Sequence, residues 1–279
     1  DCAIADLYDG DIVEGRIRNI DGLKESLRSI KDDMKIKNNE DVYVGIPNGN
    51  VRIGTIAVKA ETNSIQEVMN LVPIIGNKKN FDLDIPFISE NYKVQDQLKA
   101  EEQEFDDQGN MIPSYHAMKN VSYCVVGHEI ISEYANAVSD CGMSVVSVEP
   151  TALATIRYLR FDATQPFVVI DMEYDYTTMI AFSEQFGAFT LNLQDLGIKN
   201  LTLEQYDADG DEVIGYKPNT ANIIKLCKRL GLLEKYYFGE YLGKDENSQI
   251  NQIIFLNNDY QDIIDKVLLR DLPSLYGIT

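Results

Sequence analysis

Val145–Leu159 reads VVSVEPTALATIRYL, and Phe167–Phe182 reads FVVIDMEYDYTTMIAF. The first stretch predicts a strand over Met143–Val148 running into a helix over Glu149–Arg160, with Pro150 in the first turn, where its missing N–H costs nothing. In the second, Phe167–Asp171 is an unbroken apolar run closed by a carboxylate, the pattern of a strand buried on both faces. Thr177–Phe182 and Ala188–Asn192 continue it as a meander, with a turn at Glu184–Gly187. Strand, helix, strand, turn, strand makes the chain α/β.

Upstream, Asp41–Pro47 (DVYVGIP) alternates Val42, Val44 and Ile46 and ends in a Pro-Asn-Gly turn. Asp21–Met34 carries Leu23, Leu27 and Ile30 at helical spacing, with Asp21 as the expected N-cap. Ala3–Leu7 and Ile12–Ile20 read as strands joined by a turn at Asp9-Gly10. Val51–Lys59 alternates again, and Ser64–Val72 reads as a short helix behind a Thr62-Asn63-Ser64 cap. Gly76–Asp84 reads as polar and turn-rich. Asn91–Ala100 and Asn120–Val126 read as strands around an acidic hairpin tip, EEQEFDDQGNMIPSY. His128–Cys141 is a helix with Ile130, Ile131, Tyr134 and Val138 on one face and Gly142 just past its end. Downstream, Asn219–Gly231 is an amphipathic helix, Gly239–Asn251 is polar, and Tyr260–Leu269 is again helical.

Composition limits what the chain can do. It has 279 residues, 44% of them hydrophobic and 25% charged, which excludes wholesale disorder. The net charge of −20 repels phosphate backbones and anionic lipid and favours a basic partner. No run approaches the ~18 apolar residues of a membrane span. Cys2, Cys124, Cys141 and Cys227 lie far apart with no CxxC pair, so neither a disulfide framework nor structural zinc is expected, and a reducing cytosol is. His116 and His128 lack partners at ligand spacing, so no metal site and no catalytic triad is expected. Asp207–Glu212 (DADGDE) misses the calcium-loop pattern, because Gly210 falls at the fourth position and Pro218 at the twelfth; it reads as an acidic turn. Tyr236-Tyr237-Phe238 reads as core or partner contact, with no basic groove around it.

The two opening stretches resemble linked signatures of the actin-like ATPase superfamily. There a strand ends in Glu-Pro-x-Ala-Ala, the next ends in Asp, and a Gly-rich turn leads to Thr-Thr; Glu149, Pro150, Ala152, Ala154, Asp171, Thr177 and Thr178 match. The resemblance implies nucleotide-site roles for Glu149, Asp171, Thr177 and Thr178, with Asp organising a bound metal, Glu positioning water, and Mg-ATP as the cofactor. This chain departs where the family has glycines: Met172-Glu173-Tyr174-Asp175-Tyr176 puts carboxylates and phenols where a phosphate docks, so a degenerate site without cofactor or catalysis is the first reading. Leu196–Thr202 keeps one glycine of an expected pair. The expected first phosphate strand upstream of Leu7 and a late Gly-Gly adenosine turn are absent from the 279 residues, which open at Asp1 rather than Met.

Within the superfamily, the order of Leu7–Ile30, Val42–Pro47 and Cys141–Ala154, with a Pro motif at Ile85-Pro86-Phe87, is similar to the pilus-assembly PilM proteins and their FtsA relatives. The resemblance implies an actin-like, ribonuclease H-like fold of mixed sheets flanked by helices with a small inserted α/β subdomain. Residues 1–50 and 136–165 would form the first subdomain, 51–135 the insertion, and 166–279 an incomplete second subdomain. It further implies a cytoplasmic scaffold at the inner face of the membrane. Such a scaffold would hold the tail of a single-span, PilN-like pilus assembly protein in a groove at Val44, Ile46, Pro47, Ile85, Pro86 and Phe87. An ATP-binding FtsA-like filament protein, and the cytoplasmic domain of a type II secretion assembly protein, are the alternatives.

Overall fold

The computed structural model describes residues 3–8, 10–62, 65–72, 81–88, 92–95, 103–113, 115–159, 166–183, 187–207, 210, 212–233, 235 and 252–256. The Asn63-Ser64 cap, Cys2, most of Glu184–Gly187 and Gly239–Asn251, the Tyr236–Phe238 cluster and the Tyr260–Leu269 helix lie outside the described residues.

A hairpin of β1 (Ile12–Val13) and β2 (Arg16–Ile17) leads to α1 (Ile20–Asp33). Its turn is Glu14-Gly15, not Asp9-Gly10: both Glu14 (φ 51°) and Gly15 (φ 77°) are left-handed, which matches the twist of paired strands. Ala3–Leu7 forms no strand. The α1 cap is Asn19, whose side chain accepts the Gly22 N–H at 3.3 Å, while Asp21 sits in the first turn, where the helix dipole favours an acid.

Next come β3 (Asp41–Ile46), a 3-10 turn at Asn48–Asn50, β4 (Val51–Lys59) and α2 (Ile65–Leu71). The segment β5 (Phe81–Ile88) is a strand where part of it read as turn-rich; its ladder shifts register between Asp84 and Phe87, around the Pro86 that has no N–H to give. β6 (Tyr92–Gln95) follows, then the expected hairpin tip as β7 (Glu104–Phe105) and β8 (Met111–Ile112), and the long β9 (Tyr115–Gly127). β4 and β5 both pair antiparallel with β9, and β6 pairs with its beginning. Val58, Val68, Val72, Val121, Tyr123 and Val125 form a small core of their own on this sheet.

α3 (His128–Asp140) ends at Gly142 (φ 78°) as its sequence predicts, and leads into β10 (Ser144–Pro150), which pairs parallel with β3. The strand therefore runs through Glu149 and Pro150, and α4 (Thr151–Leu159) begins two residues later than expected. β11 (Phe167–Met172), β12 (Thr177–Ser183) and β13 (Gly187–Leu193) form the antiparallel meander. α5 (Ile198–Leu201), the hairpin β14 (Thr202–Tyr206) and β15 (Val213–Pro218), α6 (Thr220–Leu233) and β16 (Gln252–Phe255) follow. β16 pairs parallel with β11, giving the sheet order β13-β12-β11-β16.

That sheet is buried on both faces, as the unbroken FVVID run requires. Val168, Ile170 and Met172 face α5 and α6 residues such as Leu201, Ile223 and Leu226. Phe167 and Val169 face Ile46, Ile53, Ile130 and Ile156. The edge strand β13 is tied to the β4–β9 sheet by side chains: Thr190 accepts the Ile53 N–H at 2.9 Å, and Ser122 Oγ accepts the Ala188 N–H at 3.0 Å.

Candidate functional site

The Pro-Asn-Gly turn after β3 is the hub. The Asn48 side chain is buried; its Oδ1 accepts the Ala152 N–H at 2.8 Å and so caps α4, while its Nδ2 donates to Asp171 Oδ2 at 3.1 Å. Asn192 donates through Nδ2 to the Asn48 and Val51 carbonyls, both at 2.8 Å, and its Oδ1 accepts the Thr178 hydroxyl at 2.9 Å. One polar network thus joins β3, α4, β11, β12 and β13 in the middle of the molecule.

Asp171 is 7% exposed and faces Thr178 across the ladder. Burial pushes its carboxyl above the ordinary aspartate value, against the lowering effect of the Asn48 bond. Thr178 is held by Asn192, and the Thr177 hydroxyl donates to the Leu196 carbonyl at 2.6 Å. Glu149 stands apart: near the end of β10 it forms a two-pronged ion pair with Arg157 of α4.

The turn between β11 and β12 closes on α5. The Ile198 N–H donates to the Glu173 carbonyl at 3.0 Å and the Lys199 N–H to the Tyr174 carbonyl at 3.2 Å, so the first amides of α5 are committed to protein. A Cβ on Gly197 would lie 2.2 Å from the Asp175 backbone, so only glycine allows this approach. Lys199 pairs with Asp175, which holds the ammonium's pKa above its usual value. Tyr176 is buried; burial first, then the Glu173 and Asp171 carboxylates, push its phenol well above the usual tyrosine range, opposed by a hydrogen bond from the Gly49 backbone. Beside it, Tyr134 donates to the Gly15 carbonyl at 3.2 Å, and burial pushes it up to about 12. The Glu14-Gly15 turn covers Gly49 from the other side, where a Cβ would meet the Glu14 carbonyl at 2.2 Å.

Of the residues expected to hold nucleotide, Asp171 and Thr178 share a face of the sheet, Thr177 lies on the opposite face against Leu196, and Glu149 is turned to Arg157. Asn48 and Asn192 connect Asp171 with Thr178, a role the sequence does not signal, since a Pro-Asn-Gly turn says nothing of where its side chain reaches. The expected partner groove is not assembled as written. Ile46 is 0% exposed in the core and cannot meet a partner, and Val44 packs against the same core. Pro47 is half-buried against Gly15, and Ile85-Pro86-Phe87 form the β5 bulge, with β9 between β5 and β4. Among the described residues, no three His, Cys, Asp or Glu side chains cluster as a metal site, and no helix is long and apolar enough to cross a membrane.

No protein-family model and no curated protein matches the sequence. Solved structures do match the fold. A chain of the PilM-PilN type IV pilus biogenesis complex superposes with a TM-score of 0.58 at 13% identity, over 97% of this chain and 76% of that one. The cytoplasmic domain of EpsL, an inner-membrane component of the type II secretion system of Vibrio cholerae, matches at 0.41 and 9% identity, over 85% of this chain and 69% of that one. A Bacteroides thetaiotaomicron protein with an actin-like ATPase fold matches at 0.38 and 8% identity, over 89% of this chain and 81% of that one. The first of these carries the conclusion: the chain has the mixed-sheet α/β fold of a chain in the PilM-PilN structure.

Proposed function

We propose that the chain is a PilM-like scaffold in pilus assembly that works without nucleotide at its central site. It would hold the cytoplasmic tail of a PilN-like inner-membrane protein and sit at the inner face of that membrane. The observation that carries the first half is the closure of the β11–β12 turn on α5. The Ile198 and Lys199 amides are occupied by carbonyls, Gly49 has its open side filled by Glu14, and Tyr176 is packed beside Asp171. This closure speaks against a triphosphate at residues 171–178: the first amides of α5 are spent on carbonyls, and Glu173 adds like charge.

The partner half is supported by the match to a PilM-PilN complex and by a net charge of −20, which complements a basic juxtamembrane tail. We place the tail contacts at two separate points, Pro47 and the Ile85–Phe87 segment of β5, and leave out Ile46, which is core. Thermal melting with and without Mg-ATP tests the nucleotide-free half: no shift is expected, whereas saturation a hundredfold above Kd would add ~2.7 kcal/mol and favour an FtsA-like ATP-binding protein. For the tail, a basic peptide copied from the partner should bind in a salt-dependent way, and Pro47→Asp should weaken it. A tail from a secretion-system protein binding more tightly than a pilus one would move the chain to secretion.

A further inference from the structure

The β14–β15 hairpin buries little of itself. Thr202 is buried where it leaves the core, but beyond it Tyr206 is 52% exposed, Ile214 68% and Tyr216 41%, with Val213 exposed beside them and Leu203 exposed on the opposite face. Among the described residues, neither strand pairs with any strand but the other. A two-stranded ribbon is marginal in water and needs a third strand or a packed face, and a contiguous exposed apolar patch marks a contact surface.

The ribbon is also acidic. Glu204 stands opposite Tyr216 and accepts the Tyr206 hydroxyl, so the acid lies between the two phenols on one face. Asp207 and Glu212 close the turn, the Asp207 N–H donating to the Glu212 carbonyl at 2.9 Å. Lys217, opposite Leu203, is the ribbon's base and lies on the other face. Pairing two copies would set Glu204 against its like in a chain that already carries −20.

We infer that the β14–β15 ribbon is the docking site for an extended segment of a protein partner that carries basic and apolar residues two positions apart, so that both point to one face of the strand. That segment would add as a third strand, resting its apolar side chains on Tyr206 and Tyr216 and its cations beside Glu204 and the acidic turn. Main-chain bonds of a strand addition give affinity, and alternate side chains give selectivity. This site is separate from the tail contacts at Pro47 and β5, and either can fail without the other.

The test uses the whole chain and two short probe peptides, one with lysine and valine taking turns at every second position and threonine between them, and one with glutamate in place of that lysine. Fluorescence anisotropy should show the lysine peptide binding at least tenfold more tightly, and it should slow amide exchange in β14 and β15. The double variant Ile214→Asp, Tyr216→Asp makes the surface more acidic while removing its apolar anchors. It should weaken binding at least tenfold with the thermal melt unchanged, and Tyr158→Asp, at an exposed position of α4, should not. Equal or tighter binding by the double variant would show charge attraction alone and overturn the proposal. So would exchange slowed elsewhere than the ribbon, or concentration-dependent protection of the ribbon without peptide, which would make the occupant a second copy.

Discussion

Asn48 and Asp171, 123 positions apart in sequence, meet in the core, where the Asn48 amide donates to the Asp171 carboxylate at 3.1 Å while its carbonyl oxygen caps α4. A single buried side chain thus serves as both donor and acceptor at the junction of two sheets and a helix.

Replacing it removes both bonds without removing the groups that need them. Asn48→Ala should cost about 2–4 kcal/mol of unfolding free energy, because the Ala152 N–H and the buried Asp171 oxygen lose their partners together. Urea denaturation measures this. A loss below about 0.5 kcal/mol would mean the network contributes little.

Asp171 titrates against folding. Its folded pKa is raised, so the native state holds its proton more tightly than the unfolded chain, and the associated stability is present below the unfolded value and lost as pH rises through the folded one. Asp171→Asn keeps an acceptor for Asn48 and removes the buried charge. It should be more stable than the parent at neutral pH, with the advantage vanishing in acid below the ordinary aspartate range. Melting curves at several pH values decide it, and a variant less stable at pH 7 would show that the carboxylate itself is needed.

Gly197→Ala should be among the most damaging small substitutions in the chain. The added methyl would overlap the backbone of residues 174–176 at 2.2–2.4 Å, so either α5 or the β11–β12 turn must move. A loss of about 2 kcal/mol or more in thermal unfolding is expected. Gly231→Ala, with open space at that position, is the control and should be neutral or slightly stabilising.

Glu14→Asn should stabilise the protein. Glu14 holds φ 51° at the first central position of the β1–β2 turn, a conformation that Asn-Gly adopts far more readily than Glu-Gly. Asn50 bonds the Glu14 carbonyl rather than its side chain, so that contact survives. A rise of a few tenths of a kcal/mol is expected, and a fall in melting temperature would show that the carboxylate matters in a way the backbone does not.

Arg157→Ala should cost less than about 1 kcal/mol, since its pair with Glu149 is largely solvent-exposed. If Glu149 had a role in water activation, freeing it would change the response to Mg-ATP; the expected result is no such response in either form.

The local elements were legible because their signals are local. VRIGTIAVK alternates and is β4 to the residue, and HEIISEYANAVSD with Gly142 behind it is α3. β5 was hidden, because its start lay within a polar stretch and Pro86 argues against a strand until a bulge absorbs it. β16 was hidden too, being four residues long and stable only as the parallel neighbour of β11. Near the centre, the pairing of Asp171 with Thr178 follows from two strands and the turn between them, whereas the reach of Asn48 and Asn192 to that pair has no local signal.

The sequence by itself determined the alternation of strands and helices, the doubly buried central strand, and the run of acids and phenols at 173–176. Those follow from periodicity and side-chain chemistry within a few residues. The tertiary structure alone decided that Asn48 reaches Ala152 and Asp171, that Glu149 turns to Arg157, and that Ile46 lies in the core rather than in a groove. Such contacts depend on which distant surfaces pack together, and hydrogen bonds across more than a hundred residues leave no mark on the local pattern.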